Sequence, residues 1–253
     1  MHLSSRTRLL ATLILPILLL SGCSASSYTW GWHAVLPYTD KGVTNLTFLL
    51  GGMWTTVLIS IVSIVFSVLL GMIVSLGAMS KYKVFRVLNR IYVEVFRSIP
   101  VLVMILWVYY GLPVLLGISL EPFAAGVVAL VLCDSAFQAE IFRGGIQSIN
   151  KGQTEASDAL GLNYIDRMRF VIMPQAITRI LPPLGNQFVY MLKMSSLVSV
   201  IGLMELTRRA NELTVVEYRP LEIYTILLVE YLVLIVIASY GVRRLEKRLS
   251  VAG

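Results

Sequence analysis

Residues 152–174 read GQTEASDALG followed by LNYIDRMRFVIMP, and they form the longest polar interlude between two strongly apolar parts of the chain. This segment predicts two short helices. Thr154 is expected to cap the first helix, with Glu155 and Asp158 in its first turn, where the positive end of the helix dipole favours acidic side chains. Gly161 supplies the left-handed residue that ends this helix.

The second predicted helix begins at Asn163, whose side chain caps it, and Asp166 follows three residues later in a capping-box position. An apolar stripe runs along this helix beside Val171, and Pro174 is expected to end it. The stripe consists of Ile165, Met168 and Ile172. Two short, well-capped helices between apolar spans indicate a segment that binds another protein.

Several strings in this segment resemble the permeases of ABC importers. One loop of this family usually contains Glu-Ala-Ala, then Gly, then Ile-x-Leu-Pro. The same spacing occurs here in Glu155-Ala156-Ser157, Gly161 and Val171-Ile172-Met173-Pro174. Ser157, Val171 and Met173 depart from that pattern but are similar in size to the usual residues. The flanking strings resemble the branch that takes up polar amino acids: Arg143-Gly144-Gly145-Ile146, Gly152-Gln153, Pro174-Gln175-Ala176, and Leu181-Pro182-Pro183 with Asn186. The resemblance extends from about Leu46 onward.

The resemblance implies an all-α membrane protein with the type I ABC importer permease fold, in which loop 152–174 includes a coupling helix that docks into a groove on a separate ATPase subunit. The residues implied in this coupling are Glu155, Ala156, Gly161, Ile165, Met168, Ile172 and Pro174. The implied partners are ABC ATPase subunits, a periplasmic or lipid-anchored solute-binding protein, a second permease subunit (identical or different) and a polar amino acid substrate.

Composition independently indicates a helical protein that crosses a membrane several times. The 253 residues are 57% hydrophobic and only 14% charged, with a mean hydropathy of +0.80, whereas globular chains carry about a quarter charged residues. The formal net charge is +7, but the basic residues flank apolar spans and form no patch with interleaved aromatics, so nucleic acid is not an expected partner. Cys23 and Cys133 are too few for a disulfide framework or a metal site.

Residues 1–23 are expected to be a targeting segment. Arg6 and Arg8 precede an apolar run, 9–20, that is too short for an ordinary span and has the length of a signal peptide's hydrophobic region. Leu20-Ser21-Gly22-Cys23 resembles a bacterial lipobox, in which Cys23 would carry the lipid after cleavage. The alternative is an uncleaved signal anchor that happens to contain a cysteine.

About five membrane spans are expected after an external segment, 24–45, whose Trp30, Trp32 and Tyr38 suit the outer interface. The spans are expected within residues 46–79, 99–116, 123–141, 184–203 and 223–240, where the lengths suit a bilayer core. Basic residues cluster on one side of these spans, which places loop 152–174 and the tail 243–253 in the cytoplasm. The chain is therefore predicted to be a multi-pass protein of the bacterial inner membrane, with a transmembrane domain over 46–242.

Ionisable residues inside the spans are candidates for function, since each costs about 2.5–3.5 kcal/mol at a helix centre on insertion scales. Asp134 and Lys193 are the clearest cases, whereas Glu140 and Glu230 lie nearer to span ends or helix faces. Glu140 is expected to pair with Arg143 three residues later. Glu230 receives no assignment.

Lys193-Met194-Ser195-Ser196-Leu197 resembles the family string Lys-Asp-Thr-Ser-Leu, which lies near the substrate cavity in related importers. Met194 replaces the acidic residue, while Asp134 occupies a position that is usually uncharged. In one interpretation, Asp134 in the third span takes the place of the acidic residue missing from the fourth span and still faces the cavity. The other is a subunit that has lost substrate contacts, as one half of a heterodimer can. Glu94 is a further cavity candidate by resemblance, and otherwise an interfacial residue that balances neighbouring arginines.

The sequence contains no Gly-x-x-x-x-Gly-Lys-Ser/Thr phosphate loop, so ATP is expected to be bound and hydrolysed by a partner subunit, with no cofactor in this chain. His2 and His33 leave no catalytic triad or metal cluster. A proton-coupled secondary transporter is the main alternative, because Asp134, Glu140 and Glu230 could relay protons, but the sequence shows no inverted repeat. A membrane scaffold is a third possibility. We therefore predict a permease subunit of an ATP-driven importer for a polar amino acid.

Overall fold

The computed structural model describes residues 28–250, so the predicted signal segment and Cys23 lie outside the described part of the chain. The chain divides into two units, one ending at Trp32 and the other starting at His33. In the first, Trp30 stacks on Trp32 with ring centroids 5.4 Å apart and contacts Tyr28 edge-on at 5.3 Å. Two of the three aromatic residues expected at the outer interface, Trp30 and Trp32, are therefore in contact with each other.

The second unit is built from helices, and no β-strand occurs among residues 28–250. The longer helices are α1 (Asp40–Met79), α2 (Lys83–Ser98), α5 (Pro122–Gln147), α8 (Met173–Met194), α9 (Leu206–Glu217) and α10 (Pro220–Ser250). The shorter ones are α3 (Val101–Leu106), α4 (Leu112–Leu116), α6 (Lys151–Ala159) and α7 (Tyr164–Arg167). Wide π turns over Trp107–Gly111 and Met168–Ile172 join α3 to α4 and α7 to α8, and a 3-10 segment over Ser195–Ile201 extends α8.

Three described helices, α1, α5 and α10, are each long and apolar enough to cross a membrane. Two bent pairs raise the number to five if each is one span: α2 with α3–α4, bent by 99°, and residues 164–201 with α9, bent by 47°. The structure thus confirms the predicted helical fold with about five spans. It also shows two bends: one at Ile99-Pro100 separates α2 from α3–α4, which covers the expected second span, and one after the 3-10 segment separates the fourth span from α9.

Helix α1 begins earlier than predicted because Thr39 caps it. The Thr39 hydroxyl accepts a hydrogen bond from the Gly42 amide at 3.0 Å, so residues 40–45 of the predicted external segment are helical. The helix has 40 residues, which is about 60 Å at 1.5 Å per residue. A bilayer core of about 30 Å needs only half of that length.

Small residues let α1 and α5 approach closely. The buried face of α1 carries a small side chain at nearly every fourth position: Gly52, Thr56, Ser60, Ser63, Ser67, Gly71 and Ser75. A Cβ added at Gly71 would lie 2.4 Å from the Gln138 Cβ of α5, which shows that the two backbones are in near contact. Such stripes of small residues are typical of helix pairs in membranes, where packing rather than water exclusion drives association.

The segment between the fourth and fifth expected spans contains the helix α9, packed against α1. Glu205 begins this helix as its cap: its Oε1 accepts from the Arg208 amide at 2.7 Å, and its Oε2 accepts from the Tyr231 hydroxyl of α10 at 2.9 Å. Glu205 is fully buried. The carboxylate therefore joins α9 to α10, a role that its sequence position among other charged residues did not indicate.

Candidate functional site

The polar loop between α5 and α8 contains two helices, as predicted, but the first starts earlier than expected. Its cap is Asn150, whose Oδ1 accepts from the Gly152 amide at 2.8 Å, and not Thr154. Asparagine is a stronger cap than threonine, and here it reaches the second free amide of the helix. Thr154 and Glu155 therefore lie inside α6 rather than at its start, and both Glu155 and Ala156 are exposed.

The junction between the two loop helices is as predicted. Gly161 has a φ of +72°, in the left-handed region that favours glycine. Asn163 caps α7, because its Oδ1 accepts from the Asp166 amide at 2.9 Å while its Nδ2 donates to the Asp166 carboxylate at 2.6 Å. The turn between α6 and α7 is therefore fixed by its own sequence.

Pro174 does not end the second helix, contrary to the prediction. Helices α7 and α8 are continuous through the π turn, in which the Met173 amide donates to the Met168 carbonyl five residues back. Pro174 lies in the first turn of α8, where a missing amide costs little. The Gln175 side chain also donates to the Val171 carbonyl at 2.8 Å. The wider turn thus accommodates the proline that would break a regular helix.

The predicted apolar stripe does not lie on one exposed face. Ile165 is 73% exposed, but Ile172 is only 6% exposed and lies with Ala176 and Ile180 in a cluster of the chain's own core. Met168 packs against the same cluster. The π turn explains the division, since it rotates the residues after Arg167 away from the register of a 3.6-residue helix. In this conformation Ile172 is covered by its own chain.

The exposed apolar side chains at the tip of the loop are Leu160, Tyr164 and Ile165, which we call the loop surface. They are 80%, 65% and 73% exposed, although they follow one another closely in an otherwise polar segment. Single exposed apolar residues are common on proteins, whereas larger exposed apolar patches are typical of interaction sites. Only Ile165 of this surface belongs to the residues expected for coupling.

Three side-chain contacts fix the loop and its junction with the longer helices. Arg167 forms an ion pair with Asp158 across Gly161. The Gln175 amide in α8 donates to the Gln153 side chain in α6 at 3.1 Å. Arg179, also in α8, donates to the carbonyl of Ser148 at the end of α5. The loop is therefore attached to α8 and α5 and follows their positions.

Asp134 lies in a polar junction between three helices. Its Oδ2 accepts from the Ser67 hydroxyl of α1 at 2.5 Å and from Gln138 one turn further along α5 at 2.9 Å. Its Oδ1 accepts from Gln187 of α8 at 2.5 Å. We call these four residues the Asp134 junction. Asp134 is only 5% exposed, so its carboxylate is satisfied by this chain and closed to a ligand in this conformation.

Sequence reasoning identified Asp134 but missed its three partners. The four-residue spacing from Asp134 to Gln138 was available as a signal, because residues four apart share a helix face. The contacts to Ser67 and Gln187 depend on how α1 and α8 pack, which no local pattern in the sequence reports.

Lys193, Ser195 and Ser196 lie apart from the Asp134 junction. Lys193 lines a separate cleft of about 310 Å³ together with Asn186, Tyr190 and Glu246. The Ser195 and Ser196 hydroxyls donate to the carbonyls of Leu192 and Lys193, at 2.8 and 2.7 Å. Within this one chain, the predicted substrate-path residues therefore do not line a common cavity.

Glu94 lies in a third place, a basic cleft of about 400 Å³ between α2 and the end of α5. The charged residues of this cleft are Arg86, Arg90, Glu94, Arg97, Glu140 and Arg143. Glu140 and Arg143 form the predicted ion pair at 2.6 Å. Glu94 is thus surrounded by arginines, which agrees with its alternative interpretation as an interfacial residue.

Among residues 28–250, no group of three or more His, Cys, Asp or Glu side chains is placed to hold a metal ion. This is an integral membrane protein of the transport permease class, as shown by its apolar helices, their close packing through small residues and the capped loop between α5 and α8. The chain belongs to the family of binding-protein-dependent transport system inner membrane components, whose profile matches residues 67–251.

Individual relatives agree with this family. The chain is 34% identical over 221 residues to the glutamine transport system permease protein GlnP of Escherichia coli (strain K12), covering 87% of this chain and 98% of that protein. It is 38% identical to the probable glutamine ABC transporter permease protein GlnM and 37% identical to the arginine transport system permease protein ArtQ, both of Bacillus subtilis (strain 168). These two matches cover 81% and 82% of this chain and 94% of each relative.

Solved structures show the same architecture. A crystal structure of an amino acid ABC transporter with histidines matches 87% of this chain and all of the solved chain, with a TM-score of 0.80 and 38% identity. An inward-facing MetNI methionine ABC transporter matches 81% of this chain and 97% of the solved one, with a TM-score of 0.69 and 23% identity, which supports the fold. The chain is a permease subunit of an ABC importer, and its relatives give no support to the secondary transporter alternative.

Proposed function

We propose that this permease carries a polar amino acid across the bacterial inner membrane after a solute-binding protein has delivered it. The relatives that support this substrate class are the ones named for glutamine and arginine transport, at 34–38% identity over more than four-fifths of this chain. The amino acid ABC transporter of known structure, at 38% identity, supports the same class.

The second part of the proposal concerns a docking site at the loop surface. Leu160, Tyr164 and Ile165 are exposed at the tip of a loop that is capped, turned at Gly161 and tied to α8 through Gln153 and Gln175. A short apolar segment held in this way suits a groove on a partner protein, since helix-in-groove contacts are made by a few apolar anchors. We propose that the partner is the ATPase subunit, which binds and hydrolyses ATP for the importer.

Import would then follow alternating access in a pair of permease subunits. When two ATPase subunits close on ATP, each groove moves the loop that occupies it. The ion pair of Arg167 with Asp158 keeps α6 and α7 together, and the contact of Gln153 with Gln175 passes that displacement to α8. The spans then reorient, and the substrate leaves on the cytoplasmic side.

The test of the docking site uses the complete importer purified with its ATPase subunits and reconstituted into vesicles. Ile165→Asp places a charge in the proposed groove, and loss of one apolar anchor with burial of an unpaired charge is expected to cost at least about 2 kcal/mol, or more than tenfold in ATPase retention. The matched control is Val216→Asp in α9, since Val216 is exposed to a similar degree, 71%. Normal ATPase retention in Ile165→Asp would show that the loop is only a connector.

The substrate class is tested by uptake into cells that express the whole importer with its binding protein. Labelled polar amino acids are expected to accumulate in an ATP-dependent manner, whereas labelled sugars and apolar amino acids are not. Uptake that persists when ATP is depleted but a proton gradient is maintained would contradict an ATP-driven importer.

A further inference from the structure

Helix α2 has three different faces along its 16 residues, and the first of them packs on the protein. The Tyr92 hydroxyl lies 2.7 Å from the Ser135 hydroxyl of α5, and Asn89 donates to the Val74 carbonyl of α1 at 2.8 Å. Val93, on the same side, is buried. This face fixes the rotation of α2 about its axis, so the directions of its other two faces are determined.

The second face is charged and strongly basic. It carries Lys83, Arg86, Arg90, Glu94 and Arg97, which is four basic side chains against one acidic. Within residues 28–250, no carboxylate lies within ion-pair distance of Lys83, Arg86 or Arg90. Together with Val87 these three residues line an open cleft of about 420 Å³, separate from the loop surface and the Asp134 junction.

The third face is apolar and exposed. Val84, Leu88, Ile91 and Val95 recur at helical spacing, and each has between 45% and 66% of its surface exposed. At 100° per residue, the order around the helix is the packed face, the charged face and then the apolar face. A helix with this order of faces needs a surrounding that is apolar on one side and anionic or aqueous on the next.

The direction of α2 agrees with such a surrounding. The chain turns by 99° between α2 and the α3–α4 segment, with the break at Ile99-Pro100. If α3–α4 crosses the bilayer, α2 runs close to the plane of the membrane surface. Basic amphipathic helices with that orientation lie at the interface, their apolar face about 5–10 Å into the boundary between headgroups and acyl chains.

We propose that α2 is an interfacial helix of the cytoplasmic leaflet that binds anionic phospholipids. Val84, Leu88, Ile91 and Val95 lie among the upper acyl chains, and Lys83, Arg86 and Arg90 contact the lipid phosphates. Clusters of lysine and arginine on amphipathic helices beside a membrane span are typical of anionic headgroup recognition, and arginine binds phosphate through two hydrogen bonds. The partner is therefore a lipid with a net negative headgroup, such as phosphatidylglycerol.

A second copy of the permease would be the other occupant of the exposed apolar face. A two-fold contact uses the same patch on both subunits. Centred on α2, it would bring two faces of four basic residues and one acidic residue next to each other, which is unfavourable without counter-ions. Lipid phosphates supply the opposite charge, so the membrane is the better match.

The first experiment measures the surroundings of α2 in the complete importer, reconstituted into phosphatidylglycerol-containing vesicles with Cys23 changed to serine. Spin labels are placed by Leu88→Cys on the apolar face and by Lys151→Cys at the exposed start of α6, outside the loop surface, as a reference. The Leu88 label is expected to collide more with oxygen than with a water-soluble nickel complex, and the Lys151 label to do the reverse. Dipolar coupling between two Leu88 labels with little oxygen access would show a subunit interface and overturn the proposal.

The second experiment tests lipid charge. Association of spin-labelled phosphatidylglycerol, relative to phosphatidylcholine, is compared between wild type and the triple variant Lys83→Gln, Arg86→Gln and Arg90→Gln. Each removed charge is expected to weaken phosphatidylglycerol association at α2 about fivefold. The matched control removes Arg243, Arg244 and Arg248 in the same way at the end of α10. Equal losses in both variants, or no loss in the first, would overturn specific lipid recognition by α2.

Discussion

Replacing Asp134 by leucine removes a hydrogen-bond acceptor that three helices share. Gln138 and Gln187 would each lose the partner of their side-chain amide, at 2.9 and 2.5 Å in the wild type. Ser67 is affected less, because its hydroxyl also lies 3.1 Å from the Ile64 carbonyl and can donate there. The variant thus leaves the fully buried amide of Gln138 and the partly buried amide of Gln187 without these partners.

The expected loss of stability follows from those two amides. An unsatisfied buried donor costs about 1–3 kcal/mol in soluble proteins, which gives about 2–6 kcal/mol for two. Hydrogen bonds between membrane helices average only about 0.6 kcal/mol, since the unfolded helices find other partners in the bilayer. Between these limits we expect Asp134→Leu to destabilise the protein by about 2 kcal/mol. Asp134→Asn keeps one acceptor, so it should cost less than about 1 kcal/mol.

Two serines of α1 provide a control that separates the loss of the hydrogen bond to Asp134 from the effect of any substitution in that helix. Ser63 and Ser67 are both fully buried on the same face of α1, four residues apart, but the Ser63 hydroxyl has no hydrogen-bond partner among the described residues. Ser67→Ala should therefore cost about 0.5–1.5 kcal/mol, and Ser63→Ala should be neutral or slightly stabilising.

The assay combines reversible unfolding in detergent with an uptake measurement on the same variants. If the Asp134 junction is structural, Asp134→Asn keeps uptake within about twofold, and the order of stabilities is wild type, Asn, Leu. If Asp134 instead contacts the substrate ammonium, Asp134→Asn loses about 2–5 kcal/mol of binding and most of the uptake at unchanged stability. A stable but inactive Asp134→Asn protein would therefore refute the structural interpretation.

Three further predictions concern other positions. Gly161→Val should place a β-branched residue at a φ of +72°, at a cost of about 1–2 kcal/mol in backbone strain without any side-chain clash, and so weaken stimulation of the ATPase by substrate-loaded binding protein; full stimulation would contradict this. Gly71→Ala should lower the unfolding midpoint by several degrees, since its Cβ would meet Gln138 at 2.4 Å, whereas Gly144→Ala meets nothing within 4 Å and should be neutral. In intact cells, a cysteine at Tyr38 should react with an impermeant thiol reagent and one at Leu160 should not, although both side chains are well exposed; the reverse pattern would invert the topology.

The parts of the structure that the sequence predicts best are those that local patterns determine. The Gly161 turn, the Asn163 cap and the pair formed by Glu140 and Arg143 each involve residues at most four apart, and all three are confirmed. The apolar spans are predictable for a similar reason, because hydropathy over about 20 residues reports directly on transfer into a bilayer. Residue type and spacing are sufficient in these cases.

The predictions that were wrong concern the cap of α6 and the π turn between α7 and α8. Thr154 was expected to cap α6, but Asn150 is available four residues earlier and is the better cap. Pro174 was expected to end a helix, and a π turn accommodates it instead. Ile172 was placed on an exposed stripe, whereas the same π turn directs it into the core. A wide turn of this kind leaves no simple periodicity in the sequence.

The loop surface and the Asp134 junction are connected by one helical run, which contains a weak point. Ile165 and Gln187 are 22 residues apart along α7, the π turn and α8, about 33 Å at 1.5 Å per residue. The first part of α8 is anchored to α6 of the loop through Gln175, and the last part is anchored to α5 through Gln187. Pro182 and Pro183 lie between the two anchors, inside the helix. Because interior prolines remove backbone hydrogen bonds and bend helices, α8 can change its angle there while both anchors stay intact. We therefore expect a displacement of the loop to bend α8 at the prolines before it breaks the Asp134 junction.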